Sequence, residues 1–554
     1  MWVLLPVFRG LARLAPGIGG PLLGAVLLRC AAPGWVLVRP RPSERRLSWA
    51  QEAVALYRAR PGAPDRLARA LALHAQTLTL VDRYEEACVA VDAATTVPGA
   101  RLSPAQAAHL RFVRAQSLLE CGRTEEALEE ARQCVEAYRR APAPARRDRA
   151  LGSLPGALRT YALVLGVLGH TEQSVLVYEE CAALLRSMSL RQVSRVLLVM
   201  PRVFVELVGG LTDLGRYEEA LALAPEARES VGGAAAFSFP EIVRPLRVRL
   251  LVDLARCHSA RGDRDAARAT AEAAVAEART PAGAAWLTVA LECLSERLSE
   301  ADAHDEEVST LQELADLYAD RSQEGDPLLA KTLDDLARCH RRAGDNTEAV
   351  VVTRRSVAAY RRAAARDPAY EPELARVLAN LSIRQEGASD AESAVTSARE
   401  AVTLTRRLAE SDWRTHGPLT ARRLHVLGQA LRSTGDLTAT VACYEEAEAV
   451  LLDHDDLPGV EAQLATIRDV LADALLARVV TGDLDSTLAD LRSLTDLADR
   501  ADTQYVHARC FRAFDLVRSD EVTRAWESAT GEPYPGGTYY FRTDRGRGSN
   551  PAER

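Results

Sequence analysis

Two stretches, LARCHSARGDRDAA (residues 254–267) and LARCHRRAGDNTEA (residues 336–349), start 82 residues apart and share an adjacent Cys-His pair. Read singly, Cys257 with His258, or Cys339 with His340, offers a thiol beside a base or part of a metal ligand set. Read together, they are one structural position written twice. The second reading requires a periodic chain, and the chain is periodic. A turn motif of one small or turn residue, one polar residue, two acidic or polar residues and a small residue recurs. It reads DRYEEA at 82–87, GRTEEA at 122–127, GHTEQS at 169–174, GRYEEA at 215–220, GDRDAA at 262–267 and GDNTEA at 344–349. GDLTAT at 435–440 and GDLDST at 482–487 continue it, with weaker copies AHDEEV at 303–308 and SDAESA at 389–394. The ten copies are spaced by 40 to 47 residues, so the opening interval of 82 is two repeats.

Each copy has a physical reading. The apolar-periodic stretch before the turn, such as VDLARCHSA, has helical spacing. The turn glycine takes the left-handed conformation that closes that helix. Acidic residues then fall in the first turn of the next helix, where the macrodipole favours them. ATAEAAVAEAR is a second amphipathic helix, rich in small residues that let backbones approach. The unit is a helical hairpin that cannot bury its apolar face alone, and stacking copies buries it.

The motif G-x-Y-x-E-A with a preceding Leu-Ala or Leu-Gly pair resembles the tetratricopeptide repeat (TPR). GRYEEALALAPEA (215–227) and LARCHRRAGDNTEAVVVTRRSVAAYRR (336–362) carry the likeness best, and it extends over residues 43–530. The step exceeds the family's usual 34 residues, which adds about one to two turns per helix. That is similar to the long-helix variety of kinesin light chains and actinobacterial sensor arrays. The resemblance implies an all-α, right-handed superhelical solenoid of about ten TPR-like hairpins.

Three regions fall outside the period. Residues 1–42 form an apolar leader broken by Pro and Gly, with Arg9 and Arg13 near its start. Its run at 17–28 is too short to span a bilayer. It is expected to be a disordered or mis-started leader, a peripheral membrane or partner segment, or a signal peptide. SWAQEAVALYRAR (48–60) reads as a second helix whose first helix is missing or supplied by the leader. Residues 504–530 supply a closing cap, and 531–554 read as a disordered tail with Tyr539, Tyr540 and Phe541 as a sticky spot. The connectors at 141–156 and 230–246 are candidate hinges.

The chain has 554 residues and net charge −8, which opposes general nucleic-acid binding. Ten cysteines show no CxxC and no metal-site spacing, so a reducing, cytoplasmic setting is expected. Aligned on the turns, Cys257 and Cys339 share a slot in the first helix. Cys134 and Cys181 share one in the second, where Ala is usual. Packing is the expected role, with no metal, no cofactor and no catalytic residue. Phosphate-loop, nucleophile-elbow and HExxH motifs are absent.

The family's first helices line a concave groove that binds peptides. Carried over by position, its second slot holds Arg69, Arg202, Arg249, Lys331, Arg376 and Arg422. The ninth holds Arg256 and Arg338, and the sixth holds Asn380, where the family often grips a peptide backbone. The resemblance thus implies a basic inner stripe suited to an acidic peptide, a C-terminal carboxylate or an acidic partner face. The function expected is a non-enzymatic protein- or peptide-binding scaffold. Two others stand beside it: a sensor array acting on a separate switch ATPase or protease, and an enzyme with an unrecognised Cys/His site. No membrane partner is expected, any such contact being confined to 1–42, and self-association through exposed end helices is compatible with the architecture.

Overall fold

At Gly122 the chain takes φ +75° and the helix before it stops. The Arg123 N–H reaches back to the Leu118 carbonyl at 2.9 Å, the wrap that closes a helix through a left-handed residue. Nine of the ten motif turns repeat this backbone. Glycine supplies it at 122, 169, 215, 262, 344 and 435, whereas Asp82, Asp302 and Ser389 adopt φ of 60°, 52° and 63°. At the tenth, Gly482 has φ −80° and the turn is built differently. The weak copy is corrected by one residue. Asp302, not Ala303, holds the turn conformation, and the Glu307 N–H bonds the Ala303 carbonyl as the Ala127 N–H bonds Arg123. The motif is therefore DAHDEE, and Glu307 stands in a column that is otherwise Ala, Ser or Thr.

The computed structural model describes residues 5–14, 16–31, 44–60, 62–140, 153–188, 199–232, 239–320, 326–454, 456–501 and 503–535. They are all-α, and no strand occurs among the described residues. Two compact units divide at Asp302/Ala303, not at either expected hinge, both of which lie partly outside the described residues.

Unit one begins with α1 (Leu5–Leu14), α2 (Pro16–Ala31) and α3 (Glu44–Arg58). Five hairpins follow: α4 (Pro64–Thr79) with α5 (Tyr84–Thr95), α6 (Pro104–Glu120) with α7 (Thr124–Arg140), α8 (Leu154–Val167) with α9 (Thr171–Arg186), α10 (Val199–Asp213) with α11 (Tyr217–Ser230), and α12 (Pro240–Ala260) with α13 (Arg264–Ala278). The helix α14 (Leu287–Glu300) closes it. Unit two opens with α15 (His304–Asp320). Its hairpins are α16 (Asp326–Arg342) with α17 (Asn346–Arg366), α18 (Glu371–Gly387) with α19 (Ala391–Ser411), α20 (Trp413–Thr434) with α21 (Leu437–Leu452), and α22 (Val460–Thr481) with α23 (Leu484–Ala501). The cap is α24 (Gln504–Leu516) and α25 (Asp520–Thr530). Helices of 21 and 22 residues account for the long repeat step.

Within each unit a hairpin buries its apolar stripe against the next one. Leader residues 5–14 and 16–31 are helical rather than disordered, because they have a surface to cover. Leu5, Leu23 and Leu27 are buried with Leu47, Val54 and Tyr57, and Arg9 Nε donates to Glu52 at 3.0 Å. The leader thus supplies the partner that α3 needed. At the other end, Phe514 meets Trp526 edge-on at 5.0 Å, and the Tyr534 hydroxyl donates to the Phe514 carbonyl at 2.6 Å. Tyr534 therefore belongs to the cap, while Tyr539, Tyr540 and Phe541 lie outside the described residues. No helix among the described residues is long and apolar enough to cross a membrane.

Small residues do let helices close. A Cβ on Gly428 of α20 would overlap the ring of Tyr444, which is buried on α21. Gly428→Ala is expected to cost about 1–3 kcal/mol, the usual penalty of overpacking a tight core. Urea unfolding measures it, and an unchanged midpoint would show that the two helices can simply part.

The second helices are also stitched on their exposed side. An arginine seventeen residues past one turn meets a glutamate eleven past the next. The rungs are Arg139–Glu180 at 2.6 Å and Arg186–Glu226 at 2.7 Å in unit one. Arg361–Glu400 at 2.7 Å and Arg406–Glu446 at 2.5 Å repeat it in unit two. Each is solvent-exposed, so each stabilises by no more than about 1 kcal/mol.

Candidate binding site

The cysteine question is answered by the bonds the thiols make. Cys257 and Cys339 are both fully buried on equivalent turns of α12 and α16. Their histidines point elsewhere and do the same thing twice. His258 faces Asp263 at 3.9 Å, and His340 faces Asp345 at 3.9 Å. Both aspartates cap the following helix, accepting from the N–H of Ala266 and of Glu348. In the second helices, Cys134 Sγ donates to the Ala108 carbonyl at 3.3 Å and Cys181 Sγ to the Pro155 carbonyl at 3.4 Å. Ser356, in the same slot one unit on, donates to Ala330 at 2.6 Å. Thiol and hydroxyl are interchangeable there, which is a packing role.

All ten thiols are shifted upward, each with burial as the largest cause. Cys134 and Cys181 reach about 12, and Cys293 and Cys510 about 11. A nucleophilic thiolate needs the opposite shift.

Arg69 is exposed, and the other eight residues assigned to the inner stripe separate into two groups. Arg249 donates to Glu206 of α10 at 2.9 Å. Arg256 reaches Asp213 at 3.2 Å and Asp253 at 3.4 Å. Arg338 pairs with Asp335 at 2.9 Å. Arg376 pairs with Asp334 of α16 at 2.8 Å and with Glu373 at 2.7 Å. Asn380 donates to the same Asp334 at 3.3 Å, so its amide is engaged by its own chain rather than held open for a backbone. These five belong to intramolecular networks. The reason is register: in four of them an acid on the first helix one repeat back, or on the same helix, falls opposite the base.

The second group is not bonded to any acid. Among the described residues Arg202, Lys331 and Arg422 form no ion pair or hydrogen bond, and neither do Arg159 and Arg423, which position-by-position transfer passed over. Lys331 and Arg422 are exposed, while Arg159, Arg202 and Arg423 are half-buried. In unit one, burial first, and then the Arg159 charge, lower the Arg202 guanidinium from its ordinary value, with Glu206 opposing. In unit two, burial first, then Arg422 and Arg376, push Arg423 down to about 10, and its Nε is buried without a partner. Arg159 lies in a column that is apolar or small in most repeats, which is the signal that singles it out.

No protein-family model matches the chain, and no curated protein matches it. Among solved structures it is similar to the apo form of RapI, at 12% identity over 66% of this chain and 94% of that one, with a TM-score of 0.45. It is similar to a Signal Transduction ATPase with Numerous Domains carrying a tetratricopeptide repeat sensor from Pyrococcus horikoshii, at 11% identity and a TM-score of 0.44. That match covers 75% of this chain and 53% of the other. The apo quorum sensor NprR from B. thuringiensis matches at 12% identity over 64% of this chain and 93% of that one, with a TM-score of 0.43. These are loose likenesses among helical-repeat proteins.

Proposed function

We propose that this chain is a non-enzymatic binding scaffold whose first-helix face receives an acidic segment of a protein or peptide partner. The observation that carries the reading is the pair Arg159 and Arg202. Both guanidiniums are half-buried, neither forms an ion pair or hydrogen bond, and the acid whose charge acts on Arg202, Glu206, is already bonded to Arg249. Such an arrangement costs free energy until an anion arrives, and arginine's planar fork suits a carboxylate. Arg422 and Arg423 offer a second such point within unit two. The arginines already paired with acids hold the repeats together and contribute little to recognition.

The test is a pull-down from the native host with mass spectrometry, using the full chain. Wild type is compared with Arg159→Gln/Arg202→Gln and with Arg249→Gln, whose arginine is paired. The expected result is a partner retained by wild type and by Arg249→Gln but weakened at least about 30-fold in the double variant, the scale of truncating a buried recognition charge. The double variant should also melt no lower than wild type, since it removes uncompensated charge. Equal retention by all three proteins would refute the reading, as would a double variant that is simply less stable.

A further inference from the structure

Glu307 is the one carboxylate in a column of small residues, and it is buried at 2% exposure. It does not stand alone. An imidazole nitrogen of His304, a carboxylate oxygen of Glu307 and Cys339 Sγ all lie within 4.8 Å of one another, where α15 packs on α16 in unit two. His304 Nδ1 is buried and has no hydrogen-bond partner. Arg342 engages Glu307 through Oε2, leaving Oε1 outside that pair. We propose that His304, Glu307 and Cys339 bind a divalent transition-metal ion of the zinc class.

The repeat itself provides the control. Cys257 occupies the same slot as Cys339, but its preceding hairpin offers Tyr217 and Ala220 where Cys339 meets His304 and Glu307. Cys257 turns instead to Thr212, at 3.1 Å. The ligand set therefore arises at one repeat junction, from two departures that fall together. A mixed nitrogen, oxygen and sulfur set selects zinc-like ions over calcium or magnesium, which take oxygen ligands. Tetrahedral donors around zinc lie about 3.5 Å apart, so the three groups need close by only about 1 Å. Three protein ligands leave one position open.

The experiment uses the untagged full chain, stripped with chelator and titrated with Co2+ and then with Zn2+. One equivalent of Co2+ should bind with a thiolate-to-metal charge-transfer band, which Zn2+ then displaces. Cys339→Ser should lose the band and Cys257→Ser should keep it. His304→Ala should weaken affinity by roughly tenfold or more. That side chain is only half-buried, so His304→Ala carries the test should Cys339→Ser fail to fold. The proposal is overturned by no stoichiometric binding, by a band that survives Cys339→Ser, or by a folded His304→Ala variant of unchanged affinity.

Discussion

Asp334→Ala should be among the most damaging single substitutions in the second unit, costing about 3–5 kcal/mol. Asp334 accepts from Arg384 at 2.8 Å, from Arg376 at 2.8 Å and from Asn380 at 3.3 Å. Arg384 is buried at 5% exposure and also donates to Thr353 at 2.9 Å. Removing the carboxylate leaves that guanidinium charged, buried and unpaired, which is the expensive half of breaking a buried pair. Arg376 and Asn380 are half-buried and recover water, so Arg384 decides the cost. Burial pushes the Asp334 carboxyl up, but the Arg384 charge and the bonds from Arg376 and Arg384 outweigh it and hold it below its ordinary value. A folded pKa below the unfolded one means that the stabilisation is present above the ordinary value of 3.8 and is lost as pH falls through the lower folded value. Urea titration at neutral pH should therefore show a midpoint shift of about 1–3 M for Asp334→Ala. The shift should shrink in acid. Asp334→Leu with Arg384→Met, which removes both charges, should recover most of the loss. A single variant as stable as wild type would contradict the account.

Asp253→Asn has the opposite sign. Asp253 sits on α12 with Oδ2 buried and without a hydrogen-bond partner, 4.0 Å from Arg249 Nε and against Gly209 of α10. Burial raises its carboxyl from 3.8 to about 6, because it outweighs the charges of Arg249 and Arg256. A folded pKa above the unfolded one favours the protonated form in the fold. Its stabilisation is full below about 3.8 and is lost as pH rises through about 6. A shift of about two units corresponds to about 3 kcal/mol at most, at 1.36 kcal/mol per unit. Arg249 and Arg256 retain Glu206 and Asp213 when Asp253 loses its charge. The variant is expected to gain about 1–3 kcal/mol at pH 7.5 and nothing at pH 4. Thermal unfolding across that range checks it, and a loss at pH 7.5 would show that the Arg256 contact outweighs desolvation.

The periodic turn made the all-α hairpin repeat readable, because a left-handed residue after an apolar helix has few other uses. At the weak copy the turn falls one residue earlier than the pattern suggests, because Asp302 takes the left-handed conformation that glycine supplies elsewhere. Position transfer names residues for the first-helix face but does not tell which of them are already paired. Whether Arg249 is free depends on Glu206, 43 residues earlier, and that distance varies with the repeat step. The informative signal is a charge in a column that is small or apolar in most repeats. Arg384 and Arg297 stand in the column of Cys257 and Cys339, Arg159 and Asp334 share another, and Glu307 interrupts the alanines. Each marks a buried network, an uncompensated cation or the proposed metal ligands.

The exposed rungs have a consequence for how such a chain can change length. Each rung is addressed in the coordinates of its own repeat, seventeen residues past one turn to eleven past the next. Excise the repeat between the turns at Gly169 and Gly215, and Arg139 finds Glu226 as readily as it found Glu180. Duplication closes the ladder in the same way. The rungs are indifferent to copy number. Glu307 with Arg342, and Asp334 with Arg384, are not: each partner exists once, so loss or insertion of a unit between them strands a buried charge. Copies joined only by rungs are interchangeable parts, and junctions such as those at Glu307, Asp334 and Glu448, which bonds Arg468 and Arg500 of the next hairpin, are where a change of count would be felt.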